Sequence, residues 1–468
     1  MTAGLHNTLH GATASVGDLE ADALSFLRQR LALAPLGRSV PQVEMDLLLD
    51  GSITAQGLGS REAWRRLSEI VVANTIGIDS ERFLAFIPVS PAVAAVWADV
   101  IVGATSMPAE SSLEAAGAVA AENQVLRFLA GLAGMPAGAG GCFMSGGSIG
   151  NLSALAVARE QQPLRRRVAV ADTAHASIYN TLHLLGLSAV VVATDSSGRF
   201  TGDGLRAALD DVDNVAGADD HGIVDDHGIV DDIGIVVAAA GSTNAGVIDD
   251  LDGLADVAAA LGAWFHVDAA YGGAALLLPE CAQQLRGIGR ADSFIVDPHK
   301  WLFSPAGSCA LMYRQPSLAA QVHTQHGPYI DMFRAHGDEW NPSDFGFQLT
   351  RRASGVPLWF TLVLHGSDAL AATIRRGLQL AQYAARQLGA AGEHVSLVHA
   401  PELSVVLFRR KGWGSREWAG VGCTPARGGR GVCGPDHMAR RGGGATCVHA
   451  PVDATEFDRR DRCQPVVT

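Results

Sequence analysis

From about residue 140 to residue 314 the chain repeats one alternation: a short apolar run, a turn, then a stretch with helical spacing. "RVAVAD" (Arg167–Asp172), "SAVVVATD" (Ser188–Asp195), "IGIVVAAAG" (Ile233–Gly241), "AWFHVD" (Ala263–Asp268), "SFIVD" (Ser293–Asp297) and "SCALMYR" (Ser308–Arg314) read as strands. Gly150–Gln161 and Asp249–Leu261 lie between them and read as helices. Apolar strands with helices between them predict an α/β fold, with a mostly parallel sheet covered on both faces. Such sheets bind ligands beyond the carboxyl ends of their strands. Asp268 and Asp297 each close an apolar run, Lys300 follows Asp297, and His175 follows another strand end. The polar residues are therefore expected on one edge of the sheet.

Residues 15–35 and 112–133 carry apolar and charged residues at helical spacing, so these helices need a partner surface in the chain or on a second subunit. A length of 468 residues points to more than one domain. The pattern suggests an N-terminal helical segment (1–75), a large domain (76–365) and a small C-terminal domain (366–468). The net charge of -13 argues against nucleic acid and anionic membrane as partners. No apolar run approaches the roughly 20 residues that span a bilayer. Met1 is not followed by the apolar stretch of a secretory leader, so a cytoplasmic protein is expected. Seven cysteines in a chain this long do not make a disulfide framework, and Cys142, Cys281 and Cys309 stand in apolar surroundings as core residues.

Of the 35 lysines and arginines, only two are lysine: Lys300 in "VDPHKW" and Lys411 in "FRRKGW". Arginine serves a surface equally well, but only an amine forms a Schiff base at accessible pH. Lys411 sits among basic residues and reads as solvated, whereas Lys300 reads as chemical. A Schiff-base lysine suggests pyridoxal phosphate, which makes three further demands. Its ring nitrogen needs a carboxylate, which Asp268 in "HVDAAYGG" offers. Its ring needs a flat partner, which His175 in "ADTAHAS" offers. Its phosphate needs N–H groups at a helix start, which the glycine-rich "MSGGSIGN", with Ser148, offers. Each signal has a bland reading taken alone: a cap, a core histidine, a turn. Together they form the set this cofactor needs.

These stretches resemble the group II pyridoxal-phosphate-dependent amino acid decarboxylases, which include aromatic amino acid, glutamate, histidine and 2,4-diaminobutyrate decarboxylases. The strongest part is "HVDAAYGG" followed by "ADSFIVDPHKW"; "FMSGGSIGNLSAL", "AGSTNAG" and "TRRASGVPLWFTL" match further family blocks, from about Phe86 to Gly366. The resemblance implies a fold-type I transferase architecture with a seven-stranded type of sheet, and a homodimer with sites at the subunit interface. It implies decarboxylation of an L-amino acid to the amine and CO2. By it Lys300 carries the internal aldimine, Asp268 pairs with the pyridine nitrogen and His175 stacks on the ring. Gly147, Ser148 and Asp297 lie where the family holds the phosphate, Thr243 and Ala270 line the ring, and His299 with Trp301 positions Lys300. Many members have Asn at the place of Asp297, and an acid there has to share or yield the phosphate contact. Tyr329 in "PYIDM" matches a loop tyrosine that protonates the quinonoid carbon. Aminotransfer, oxidative deamination to an aldehyde, and a catalytically impaired family member stay open as alternatives. So does the substrate, whether aromatic, glutamate or diaminobutyrate.

Two stretches depart from the family. "DDHGIVDDHGIVDDIGIV" (Asp219–Val236) writes one six-residue unit three times. It reads as a tandem duplication in the loop before a strand, with the third copy supplying the strand start, rather than as a metal site of His221 and His227. After Gly412 the chain has no Leu or Ile and is rich in Gly, Arg and Cys. Strand and helix periodicity is lost there, which suggests a reading-frame shift near residue 412. Cys423, Cys433, Cys447 and Cys463 lack the paired spacing of a zinc site.

Overall fold

The computed structural model describes residues 14–33, 35–37, 40–80, 83–87, 90–210, 232–328, 330, 332, 340–413 and 447–449. Of these, residues 14–84 form one compact unit and the rest, from Ala85, another. The first unit is helical: α1 (Ala14–Ala32), α2 (Gln42–Leu49) and α3 (Ser60–Arg65), which runs on into a π-helical turn at Arg66–Val72. Phe26 and Trp64 meet edge to face at 5.8 Å, and Arg30 pairs with Asp79.

The second unit opens with α4 (Val93–Ala104) and α5 (Ser112–Leu132), then winds about a sheet. Its strands are β1 (Gly140–Met144), β2 (Arg167–Ala171), β3 (Ser188–Val192), β4 (Ile233–Ala239), β5 (Trp264–Asp268), β6 (Ser293–Val296) and β7 (Cys309–Tyr313). Between or after them come α6 (Gly147–Gln161), α7 (Ala176–Leu185), α8 (Gly202–Asp210), α9 (Leu251–Leu261), α10 (Pro316–His323) and α11 (Val356–Gly389). The spatial order is β1-β7-β6-β5-β4-β2-β3. All neighbours are parallel except β7, which runs antiparallel to both β1 and β6. This is the seven-stranded, mostly parallel sheet of the fold-type I architecture.

The alternation within each strand sorts side chains into two cores. Ala169, Val236, Val267 and Phe294 face one, with α5 and α9; Val168, Ile235, Trp264 and Ile295 face the other, with α6 and α7. One strand and one helix start differ from the sequence reading. β1, "GGCFM", was not recognised, because its two leading glycines carry no side chain to mark a strand. α6 begins at Gly147, three residues before the apolar spacing starts.

The third repeat copy does enter β4, which starts at Ile233. The first two copies, with His221 and His227, lie outside the described residues, as do 414–446 and 450–468. Against the expectation of no strand after Gly412, β10 (Cys447–His449) runs parallel to β9 (Val405–Arg410), which pairs antiparallel with β8 (Val395–Leu397). Backbone pairing needs no side-chain periodicity, so the pattern could not reveal it. The segment leading into β9 docks on the large sheet's loops. Glu402 pairs with Arg199 and accepts the Ile248 N–H at 3.1 Å, and the Tyr271 hydroxyl meets Ser404 Oγ at 2.5 Å. Among the described residues no helix is long and apolar enough to cross a membrane.

Candidate active site

The carboxyl ends of β4, β5 and β6 open into a cavity of about 560 Å3. Gly147, Ser148, His175, Thr243, Asp268, Ala270, Asp297, His299 and Lys300 all line it. Nine of the eleven residues that the sequence reading assigns to the site thus surround one space; Trp301 does not line it and packs edge to face on Tyr271 at 4.9 Å. Tyr329 lies outside the described residues.

Asp268 is the last residue of β5. Its Oδ2 accepts from Asn151 Nδ2 at 2.9 Å and its Oδ1 from the Ala270 N–H at 3.2 Å. Asp297 follows β6 and is 3% exposed. Its Oδ2 lies 3.3 Å from Lys300 Nζ and 3.9 Å from His299 Nε2, while its Oδ1 has no hydrogen-bond partner. His299 Nδ1 donates to the Ser308 carbonyl at 2.7 Å, which leaves Nε2 toward Asp297. Lys300 is held by a turn, its N–H donating to the Asp297 carbonyl at 2.9 Å.

Helix α6 meets this edge end-on. Its N-cap is Gly146, and no side chain caps it, so its first N–H groups lack intrahelical partners. Glycine is required at two of its positions by close approach. A Cβ on Gly147 would stand 2.7 Å from Asp297 Oδ2, and one on Gly150 2.8 Å from Cys309 Sγ. Burial and the nearby Asp297 carboxylate push the Cys309 thiol well above its ordinary range, so it is an inert floor to the helix. His175 is the N-cap of α7, its Nδ1 accepting the Ser177 N–H at 3.2 Å.

Several lining or supporting residues were not foreseen. Asn151 and Ser177 line the cavity, and His266 stands behind Asn151 at 3.0 Å. Burial lowers the His266 pKa to about 4, against the pull of Asp268. Its signal was a lone polar residue inside the apolar "AWFHVD" run. Asp249, also lining the cavity, accepts from Phe200 N and Ala239 N; its burial raises its pKa to about 7. Phe86 and Ile87 line the cavity with φ of 62° and 55°. A left-handed β-branched residue is strained, and nothing in a sequence announces it.

These residues fit pyridoxal phosphate. Lys300 offers the amine, Asp268 a carboxylate whose own oxygens are tied down, and α6 an uncapped anion-binding N-terminus. The Asp297 oxygen without a partner is an acceptor, so it adds nothing to the hold on a phosphate.

Residues 63–411 match the family model described as the pyridoxal-dependent decarboxylase conserved domain. The chain is 29% identical over 401 residues to an aromatic-L-amino-acid decarboxylase of Bacillus atrophaeus, covering 84% of this chain and 79% of that protein. It is 32% identical over 360 residues to an L-2,4-diaminobutyrate decarboxylase of Rhizobium meliloti, covering 75% and 70%. The crystal structure of Oryza sativa TDC with PLP and tryptamine superposes with a TM-score of 0.75 at 24% identity, covering 86% of this chain and 84% of that one. The chain belongs to the pyridoxal-dependent decarboxylase family. Its cofactor is pyridoxal phosphate and its reaction the decarboxylation of an L-amino acid.

Proposed function

We propose that the substrate is an L-amino acid with an apolar, preferably aromatic, side chain, and that the residues gathered at the sheet edge carry out its decarboxylation. The observation behind the substrate class is the cavity wall. Phe86 and Ile87 offer apolar surface, and no arginine stands among the described residues that line the cavity to pair with an acidic side chain. The named activity of the Bacillus relative agrees with this, whereas that of the Rhizobium relative calls for a cationic side chain.

Bound pyridoxal phosphate supplies an aldehyde for Lys300 and a ring that withdraws electrons from the bond to the departing carboxylate. Lys300 Nζ would hold the cofactor through its amine. Asp268 keeps a proton on the ring nitrogen by placing a fixed negative charge beside it. His175 stacks on the ring. Gly147 and Ser148 present N–H and hydroxyl groups to the phosphate, with Asp297 sharing that end of the site. Thr243 and Ala270 flank the ring, His299 steadies Asp297 and Lys300, and the Tyr329 hydroxyl returns a proton to the substrate carbon.

A homodimer in the cytoplasm is part of this reading. Ile101 on α4 and Val363 and Leu364 on α11 are 57%, 63% and 57% exposed, and the two helices pack side by side. An apolar strip of this kind marks an association surface. Sedimentation should give a dimer that Val363→Asp dissociates.

The test is an absorption titration with pyridoxal phosphate beside Lys300→Ala, followed by a panel of amino acids scored by CO2 release. A visible band fixed by borohydride, absent from the variant, with CO2 fastest from aromatic substrates, is expected. A folded wild type without the band rejects the role of Lys300. Preference for glutamate or diaminobutyrate rejects the substrate class.

A further inference from the structure

Behind Asp268 runs a buried chain of polar side chains. Trp264 Nε1 donates to Ser293 Oγ at 2.9 Å, and Ser293 Oγ meets His266 Nδ1 at 2.8 Å. His266 Nε2 meets Asn151 Oδ1 at 3.0 Å. Asn151 Nδ2 reaches Asp268 Oδ2 at 2.9 Å and Ser177 Oγ at 3.1 Å. Ser177 Oγ meets His175 Nδ1 at 2.7 Å. Asn151, Ser177, His266 and Ser293 are all buried.

The direction of every bond is set by members that have no choice. An indole N–H only donates. Ser293 Oγ accepts it and can still either donate to His266 Nδ1 or accept from it. From the other side, the Asp268 carboxylate only accepts, which turns the Asn151 amide nitrogen toward it and the Asn151 oxygen toward His266 Nε2; that nitrogen therefore carries the ring proton, and Nδ1 accepts the Ser293 hydroxyl. The second amide proton goes to Ser177 Oγ, and the Ser177 hydroxyl goes to His175 Nδ1. The Ser177 backbone N–H, an obligatory donor, points at the same Nδ1 at 3.2 Å. Two fixed ends, the Asp268 carboxylate and the Ser177 N–H, set one direction, and the indole N–H is compatible with it. Burial keeps His266 neutral, as its single ring proton requires.

We propose that Asn151 and His266 are positioning residues: one directed hydrogen-bond chain pins the Asp268 carboxylate and fixes the His175 tautomer with its proton on Nε2. The two groups assigned to the cofactor ring, its nitrogen partner and its stacking face, are thereby set by a single buried amide. This rests on the functional reading of Asp268 and His175 given above. Asn151 acts through both, and His266 acts through Asn151.

The first measurement needs no cofactor. Nitrogen-15 shifts of the histidine rings in the wild-type protein, assigned by loss of signal in His175→Gln and His266→Gln, should show the Nε2–H tautomer at both positions. An Nδ1–H tautomer at either overturns the proposal. The second compares Asn151→Asp, His266→Phe and His266→Gln. Glutamine restores a donor in place of Nε2, and phenylalanine does not. Asn151→Asp and His266→Phe should weaken pyridoxal phosphate binding about tenfold, the scale of one lost hydrogen bond to a charged group, and shift the pH dependence of the bound cofactor's visible band. His266→Gln should stay within about threefold of wild type. If Asn151→Asp does not fold, the His266 pair and the tautomers decide. Cofactor affinity and pH profile unchanged in His266→Phe reject the positioning role while leaving the decarboxylase reading intact. A wild type that binds no cofactor rejects the functional reading itself, and the tautomers then judge the hydrogen-bond chain alone.

Discussion

Asp268 and Asp297 end two neighbouring parallel strands and face the same cavity, yet the fold treats them in opposite ways. Both oxygens of Asp268 accept N–H donors from the protein. Asp297 is buried with one oxygen unpartnered and the other against Lys300 and His299. A desolvated carboxylate with an orphaned oxygen is costly, and cations beside it offset part of that cost. One carboxylate is thus a finished fixture, and the other faces Lys300 and His299, the side chains that the proposed function assigns to the cofactor.

The largest expected effect comes from Lys300→Ala, which removes the amine and strips Asp297 of its nearest cation. CO2 release should fall on the order of 10^4-fold or more in single-turnover assays. Retention of measurable turnover would place the amine elsewhere. Next, Asp268→Asn keeps the shape but loses the charge, and kcat should drop about 10^3-fold. Asp297→Asn should change kcat less than about tenfold and tighten cofactor binding, because it removes a negative charge from the phosphate end of the site. Equal damage from the two substitutions would erase the distinction between them.

A third test reads the scaffold behind Asp268 through pH. The His266 pKa is lowered from 6.5 to about 4 by burial. Between those values the unfolded chain binds a proton that the folded chain refuses, so stability falls as pH falls through that window. The loss is about 3 kcal/mol by pH 4, and His266→Gln should remove it. Urea midpoints at pH 7 and pH 4.5 measure the difference, and an equal decline in both proteins would sink the assignment. The smallest effect belongs to Gly147→Ala, whose new Cβ would press on Asp297 Oδ2. It should cost about 1–3 kcal/mol in a thermal melt, and adding Asp297→Ala should recover most of it.

How much of this was legible follows physical lines. Strands such as Ile233–Ala239 and Trp264–Asp268 announced themselves because burial on both faces leaves only apolar residues, and their polar ends then mark the site edge. Lys300 stood out because its residue type is scarce and its chemistry has no substitute. The hydrogen-bond chain was not legible. Asn151 and His266 are 115 positions apart, and only the packing of α6 on β5 makes them neighbours. The left-handed backbone of Phe86 and Ile87 was likewise silent, because it is imposed by surroundings rather than by their own preference. Tyr329 still rests on its match to the family loop.

The docking of residues 402–405 has a genetic consequence. Leu403 is buried against Gly241 and Gly272, and Val405 against Gly246, all on the loops beside the cavity. A frame change before codon 402 would erase part of the wall behind the cofactor. One after codon 412 leaves every described wall residue encoded as it stands, so mutations on the two sides of this short interval should meet very different selection.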